Sequence, residues 1–161
     1  MSKAVALLCA VALAAAIPAA SATAANFVPN PRDPVKFTGN LTIEQGGVSV
    51  TCSVLLDAKV VNGGFHAEIR GGSFSAGDWQ CGWLLSPTAF SWYVYPDTTT
   101  QVLFSTFSFN TILGSCSGPF FTGWANGSPG KVVFSNTVIP GSPGACTVNG
   151  TLDTDPSLTI V

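Results

Sequence analysis

The sequence predicts an all-β protein, a single-domain β-sandwich or flattened barrel of about nine short strands. Three observations carry that expectation. Beyond residue 25 apolar and polar residues alternate with a period of two, Gly, Pro and Asn interrupt the alternation every ten residues or so, and helical spacing is hard to find.

The N-terminus is read separately. Met1-Ser2-Lys3 supplies one positive charge, Ala4 to Ile17 is an uninterrupted apolar run, and Pro18 is followed by small residues with A-x-A cleavage sites near Ala22 and Ala24. That pattern is a signal peptide over residues 1–24, cleaved on export, which predicts a secreted or cell-surface protein. The run is shorter than the ~20 residues of a membrane span, and no later stretch reaches that length.

Residues 25–36 hold Pro29, Pro31 and Pro34, which cannot donate to a central ladder, so they are expected to form an extended arm that covers nothing essential. The all-β domain is expected over 37–161. Its clearest strand places Val48, Val50, Cys52, Val54, Leu56, Ala58 and Val60 on one parity, with Ser49, Thr51, Ser53, Asp57 and Lys59 on the other. Asn62-Gly63-Gly64 suits a tight turn, after which Phe65, Ala67 and Ile69 resume the inward face. Further strands are expected at 37–43, 90–95, 101–109, 120–125, 131–138, 145–152 and 157–161.

A shift of 64 residues superposes Cys52-Ser53 on Cys116-Ser117 and Asn62-Gly63 on Asn126-Gly127; one extra residue aligns Cys81 with Cys146. This suggests an internal duplication, with repeats over 38–99 and 102–161. Removal of the leader takes Cys9 with it and leaves Cys52, Cys81, Cys116 and Cys146, an even number in an oxidising compartment. Two disulfides are expected. Sequence alone leaves three connectivities open, and the duplication favours pairing within each half, Cys52 with Cys81 and Cys116 with Cys146.

Composition excludes several function classes. Without Lys3 the chain carries five basic residues against eight acidic ones, too few and too scattered to neutralise a phosphate backbone, so nucleic acid is not an expected partner. Only 9% of residues are charged, which predicts a neutral, partly apolar surface. His66 is the single histidine, on the outward parity of a strand, and neither a Gly-x-Ser-x-Gly elbow nor a Cys-x-x-Cys pair follows the leader. No catalytic residue, cofactor site or metal site is therefore assigned. Asp57, Glu68, Asp78 and Asp97 read as solvated charges, and Asp153-Thr154-Asp155 as a polar turn.

The aromatic residues are more suggestive. Trp79, Trp92 and Trp124 are expected to pack on the disulfides in the interior. Tyr93 and Tyr95 have the parity opposite to Trp92 and Val94, and with Phe120 and Phe121 they form the candidate apolar surface. Such a surface suits a hydrocarbon or other apolar partner, or self-association.

Several segments resemble a known family. They are Gly72-Ser73-Phe74-Ser75-Ala76-Gly77-Asp78-Trp79-Gln80-Cys81-Gly82, Thr111-Ile112-Leu113-Gly114-Ser115-Cys116-Ser117-Gly118, the run from Ile139 to Leu152, and the ending Pro156-Ser157-Leu158-Thr159-Ile160-Val161. With their cysteine framework they are similar to the secreted bacterial protein activators of alkane oxidation. The resemblance implies a small extracellular accessory that helps bacteria use hydrocarbons, by emulsification or cell contact, with no catalytic residues to carry over. Two other classes fit the same residues. An adhesive or matrix fibre subunit would pair edge strands such as Leu158 to Val161 between molecules, and a carbohydrate-binding module would use tryptophans as stacking platforms.

Overall fold

The computed structural model describes residues 24–161, and the expected leader lies outside them except for Ala24. Twelve strands form: β1 Phe27–Val28, β2 Arg32–Gln45, β3 Val48–Val60, β4 Ala67–Gly77, β5 Ser86–Pro87, β6 Trp92–Thr98, β7 Gln101–Asn110, β8 Ser115–Ala125, β9 Lys131–Ile139, β10 Gly141–Ser142, β11 Cys146–Asp155 and β12 Thr159–Ile160. Eight of them pair in the cyclic order β2-β3-β4-β6-β7-β8-β9-β11, with β11 returning to β2 and every pairing antiparallel. The fold is thus a closed up-and-down barrel with four two-residue strands at its ends and seam. Closure leaves no long free edge, the device by which barrels avoid pairing with other chains. The C-terminal segment, expected as a free edge, pairs as β12 with β1, and Leu158 and Ile160 are buried.

An eight-stranded barrel is just wide enough for its own side chains to fill. Here Phe37, Phe74, Trp92, Phe104, Phe107, Phe109, Phe120 and Phe134 fill it, with Phe104 and Phe120 stacked at 5.1 Å and Phe107 edge-on to Phe104 at 5.5 Å. Alternation breaks where bulges insert a residue: in β7, Phe104 and Phe107 both point inward, and in β9 Phe134 and Thr137 do so. The β2–β3 hairpin closes in two residues because Gly46 and Gly47 both take positive φ, at 58° and 82°.

The two barrel ends differ. At one end the 25–36 segment is part of the wall and lid, contrary to the expectation that it covers nothing. Its Phe27 is fully buried, edge-on to Trp124 at 5.3 Å, beneath the β1–β12 pair, and β2 already begins at Arg32. Asn126 fixes this lid by accepting from Trp124 Nε1 at 2.7 Å and Ile160 N at 2.7 Å.

Both disulfides lie toward the opposite end. They join Cys52 to Cys81 and Cys116 to Cys146, the within-half pairing. Gln45 is buried beside the second bridge, donating from Nε2 to the Gly144 carbonyl at 2.6 Å and accepting from Thr111 Oγ1. The segments related by the 64-residue shift each contribute four barrel strands, and Cys52 and Cys116 stand on β3 and β8, the second strand of each set.

Candidate functional site

The exterior is mainly polar and the interior apolar, the inverse of a lipid-embedded barrel, whose apolar band faces outward. Among the described residues no helix is long and apolar enough to cross a membrane, and no group of three His, Cys, Asp or Glu residues could hold a metal ion.

On the wall formed by β11, β2 and β3, two successive outward rows near mid-strand are neutral and polar, and charged residues such as Lys36, Glu44 and Asp57 lie toward its two ends. Asn149, Thr42 and Thr51 lie side by side, with the two threonine hydroxyls 2.8 Å apart. The next row is Thr151, Asn40 and Ser53, the serine donating to Asn40 Oδ1 at 2.8 Å.

Four strands away in either direction lies β7, and there the outward row is apolar. Register places Tyr95 of β6 opposite Leu103 of β7, and Leu103 opposite Phe121 of β8. Tyr95 is 37% and Phe121 53% exposed. Tyr93 is half-buried one step along β6, and the His66 ring lies 5.5 Å from Tyr93 and 5.3 Å from Tyr95, with Phe65 5.8 Å beyond. Cross-strand neighbours on one face sit within contact distance, so this is a continuous aromatic band.

Three expected placements are corrected. Phe120 was expected with Phe121 at the surface, but adjacent strand residues face opposite ways, and Phe120 is 6% exposed inside the barrel. Phe65 was expected inward and is 56% exposed, because β4 begins only at Ala67 and Phe65 belongs to the turn. Trp79 was expected in the core and is 71% exposed, with Trp83 at 73%, because both lie in 78–85, the connection between β4 and β5, and not on a strand. Trp92 and Trp124 are buried.

Beside the band, Glu68 pairs with Lys59 at 2.8 Å and accepts from Ser91 Oγ at 3.0 Å. Hydrogen bonding from Lys59, then from Ser91, holds its carboxyl below the ordinary carboxylate range. A depressed folded-state pKa contributes stability that is present above the unfolded value and lost as pH falls through the folded one. Glu68→Gln should therefore be less stable than wild type at neutral pH, and the gap should close on acidification. Urea midpoints between pH 7 and pH 3 would show a constant gap if the ion pair contributes nothing.

At the disulfide end Ile43, Val48, Val50, Leu85, Ile112 and Leu113 line a shallow apolar cleft, with Gln45 and Thr111 at its floor. Their polar atoms are engaged with each other and with Gly144, so the cleft offers few free hydrogen-bonding groups.

Comparison with curated proteins and with solved structures finds no significant match. A family model does match, that of the alkane oxidation protein activators of the PraA/PraB-like type, over residues 1–161. The match spans every barrel strand, both disulfides and the aromatic band, and by it the chain belongs to the PraA/PraB-like alkane oxidation protein activator family.

Proposed function

We propose that this protein is a secreted, non-catalytic accessory that promotes alkane utilisation by adsorbing at the hydrocarbon–water boundary. The observation that carries this reading is the opposition of two faces on one rigid barrel. The Tyr95–Leu103–Phe121 band is centred on β7, and the Thr, Asn and Ser rows are centred on β2, which is diametrically across. A body apolar on one side and polar on the other gains by lying at an oil–water boundary, at about 25 cal/mol for each Å² of apolar surface removed from water. The family description names an activator of alkane oxidation and fits an accessory that raises access to an insoluble substrate. Export through a cleaved leader would place it where that substrate is, and two disulfides suit that compartment.

Tyr95→Ser combined with Phe121→Ser tests this. Both side chains are exposed, so the far-ultraviolet circular dichroism should not change. Partitioning of purified protein onto alkane droplets should fall at least about tenfold, corresponding to roughly 1.4 kcal/mol. Unchanged partitioning with an unchanged spectrum would refute the band as the contact. Addition of a chelator should leave wild-type partitioning as it was.

A further inference from the structure

We infer that the disulfide end of the barrel is a second contact for liquid hydrocarbon, separate from the β7 band, engaged together with it and built around Trp79 and Trp83. The inference rests on the interfacial reading above and adds a site to it.

Connections between successive barrel strands occupy 46–47, 61–66, 99–100, 111–114, 126–130 and 140–145, all short. The β4–β6 connection, 78–91, is interrupted by β5, and its first part, 78–85, is the longest stretch outside a strand between the barrel strands. It carries two indoles more than 70% exposed, with ring centroids 6.1 Å apart. Large apolar side chains left in water in this way are the informative departure from ordinary burial.

The loop is also fixed. Cys81 is bridged to Cys52 of β3, Asp78 Oδ2 accepts from Thr51 N at 2.7 Å, and Leu84 N and Gly82 N donate to the Gln80 and Leu85 carbonyls at 2.9 Å. Rings held on an ordered segment lose little conformational freedom on contact. Leu85 of the same loop lines the apolar cleft, whose rim adds Val48 at 36% and Leu113 at 43% exposure.

Charge selects the occupant. Arg32, Lys36, Lys59, Arg70 and Lys131 all lie on the half of the barrel nearer the β1–β12 lid. Among the described residues the disulfide end carries only Glu44 and Asp78 as charged groups, and the Asp78 carboxylate is bound to the Thr51 amide. An anionic lipid surface or a phosphate would call for basic residues here, and among the described residues there are none. An uncharged apolar liquid needs none.

The test uses wild type, the band variant Tyr95→Ser/Phe121→Ser, the end variant Trp79→Ser/Trp83→Ser, and Trp79→Phe/Trp83→Phe, with hexadecane droplets as the probe. The end variant should lose at least about tenfold in partitioning with unchanged circular dichroism, and Trp79→Phe/Trp83→Phe should retain it. Because Trp92 and Trp124 are buried, the blue shift of tryptophan emission on adsorption should come from the exposed pair and vanish in the Phe variant. If wild type adsorbs and the end variant adsorbs equally, the second contact is refuted while the interfacial reading stands. If wild type does not adsorb, both fall. Quenching by soluble glycans without a droplet response, or stronger binding to anionic phospholipid vesicles than to droplets, would equally overturn the assignment of hydrocarbon to this end.

Discussion

Trp92→Ser is expected to lower stability by about 3 to 5 kcal/mol and to reduce the yield of folded protein, the largest effect of any substitution proposed here. The indole is fully buried, packed on Phe107 at 4.3 Å and on Phe90 at 4.4 Å, and its Nε1 donates to the Thr88 carbonyl at 2.8 Å. Serine would remove those contacts, leave the Thr88 carbonyl without its donor, and open a cavity where an aromatic barrel core has little room to collapse. The position adds to the cost. β6 pairs with β4 through only three residues, Ala67–Val94, Glu68–Tyr93 and Ile69–Trp92, so the wall beyond that point is completed by the 78–91 connection. Trp92 stands where strand gives way to loop and holds both. Urea denaturation followed by circular dichroism measures the loss; a change below about 1 kcal/mol would show that the indole is not a structural keystone.

The same residue shows how far parity reads true. Alternation in 48–60 translated directly into a strand with Val50, Cys52, Val54, Leu56, Ala58 and Val60 buried, since its pairing with β2 is regular over Val48–Ala58 and the extra residues at its two register shifts with β4 fall on β4. Tyr93 and Tyr95 were legible as outward for the same reason. Phe120 was legible too: it shares parity with Cys116 and Trp124, both buried, and that relation outranks its adjacency to Phe121. Other features were hidden. Bulges in β7 and β9 shift parity by one residue, and nothing in the local alternation marks where they fall.

Trp79, Cys81 and Trp83 share a parity, but parity has meaning only within a strand. Gly77 and Gly82, with φ of 110° and 77°, were the available sign that the strand had ended. The band itself was half legible. Each side chain could be placed outward, yet the row Tyr95–Leu103–Phe121 depends on the register of three strands, which composition and periodicity do not encode. Closure into a barrel, which sets the polar rows opposite that band, is likewise a property of long-range pairing.

The two disulfides should be equal for stability and unequal for adsorption. Their sequence separations are 29 and 30, so the chain-entropy model assigns each roughly 3 to 4 kcal/mol through the unfolded state, and Cys52→Ser/Cys81→Ser and Cys116→Ser/Cys146→Ser should shift the urea midpoint alike. Their surroundings differ. Cys116 and Cys146 stand at the starts of β8 and β11, both held in the barrel ladder, with Gln45 Nε2 3.5 Å from Cys116 Sγ, so losing that bridge leaves the end of the barrel paired. Cys81 belongs to the 78–91 connection, whose remaining ties to β3 are the Asp78 contacts with Thr51. Loss of the Cys52–Cys81 bridge should free the segment that presents Trp79 and Trp83. Under conditions where both variants remain folded by circular dichroism, droplet partitioning should fall several-fold for Cys52→Ser/Cys81→Ser and stay near wild type for Cys116→Ser/Cys146→Ser. Equal partitioning by the two would show that an ordered loop is not needed for the contact, because surface aromatics that adsorb as well when mobile owe nothing to their presentation.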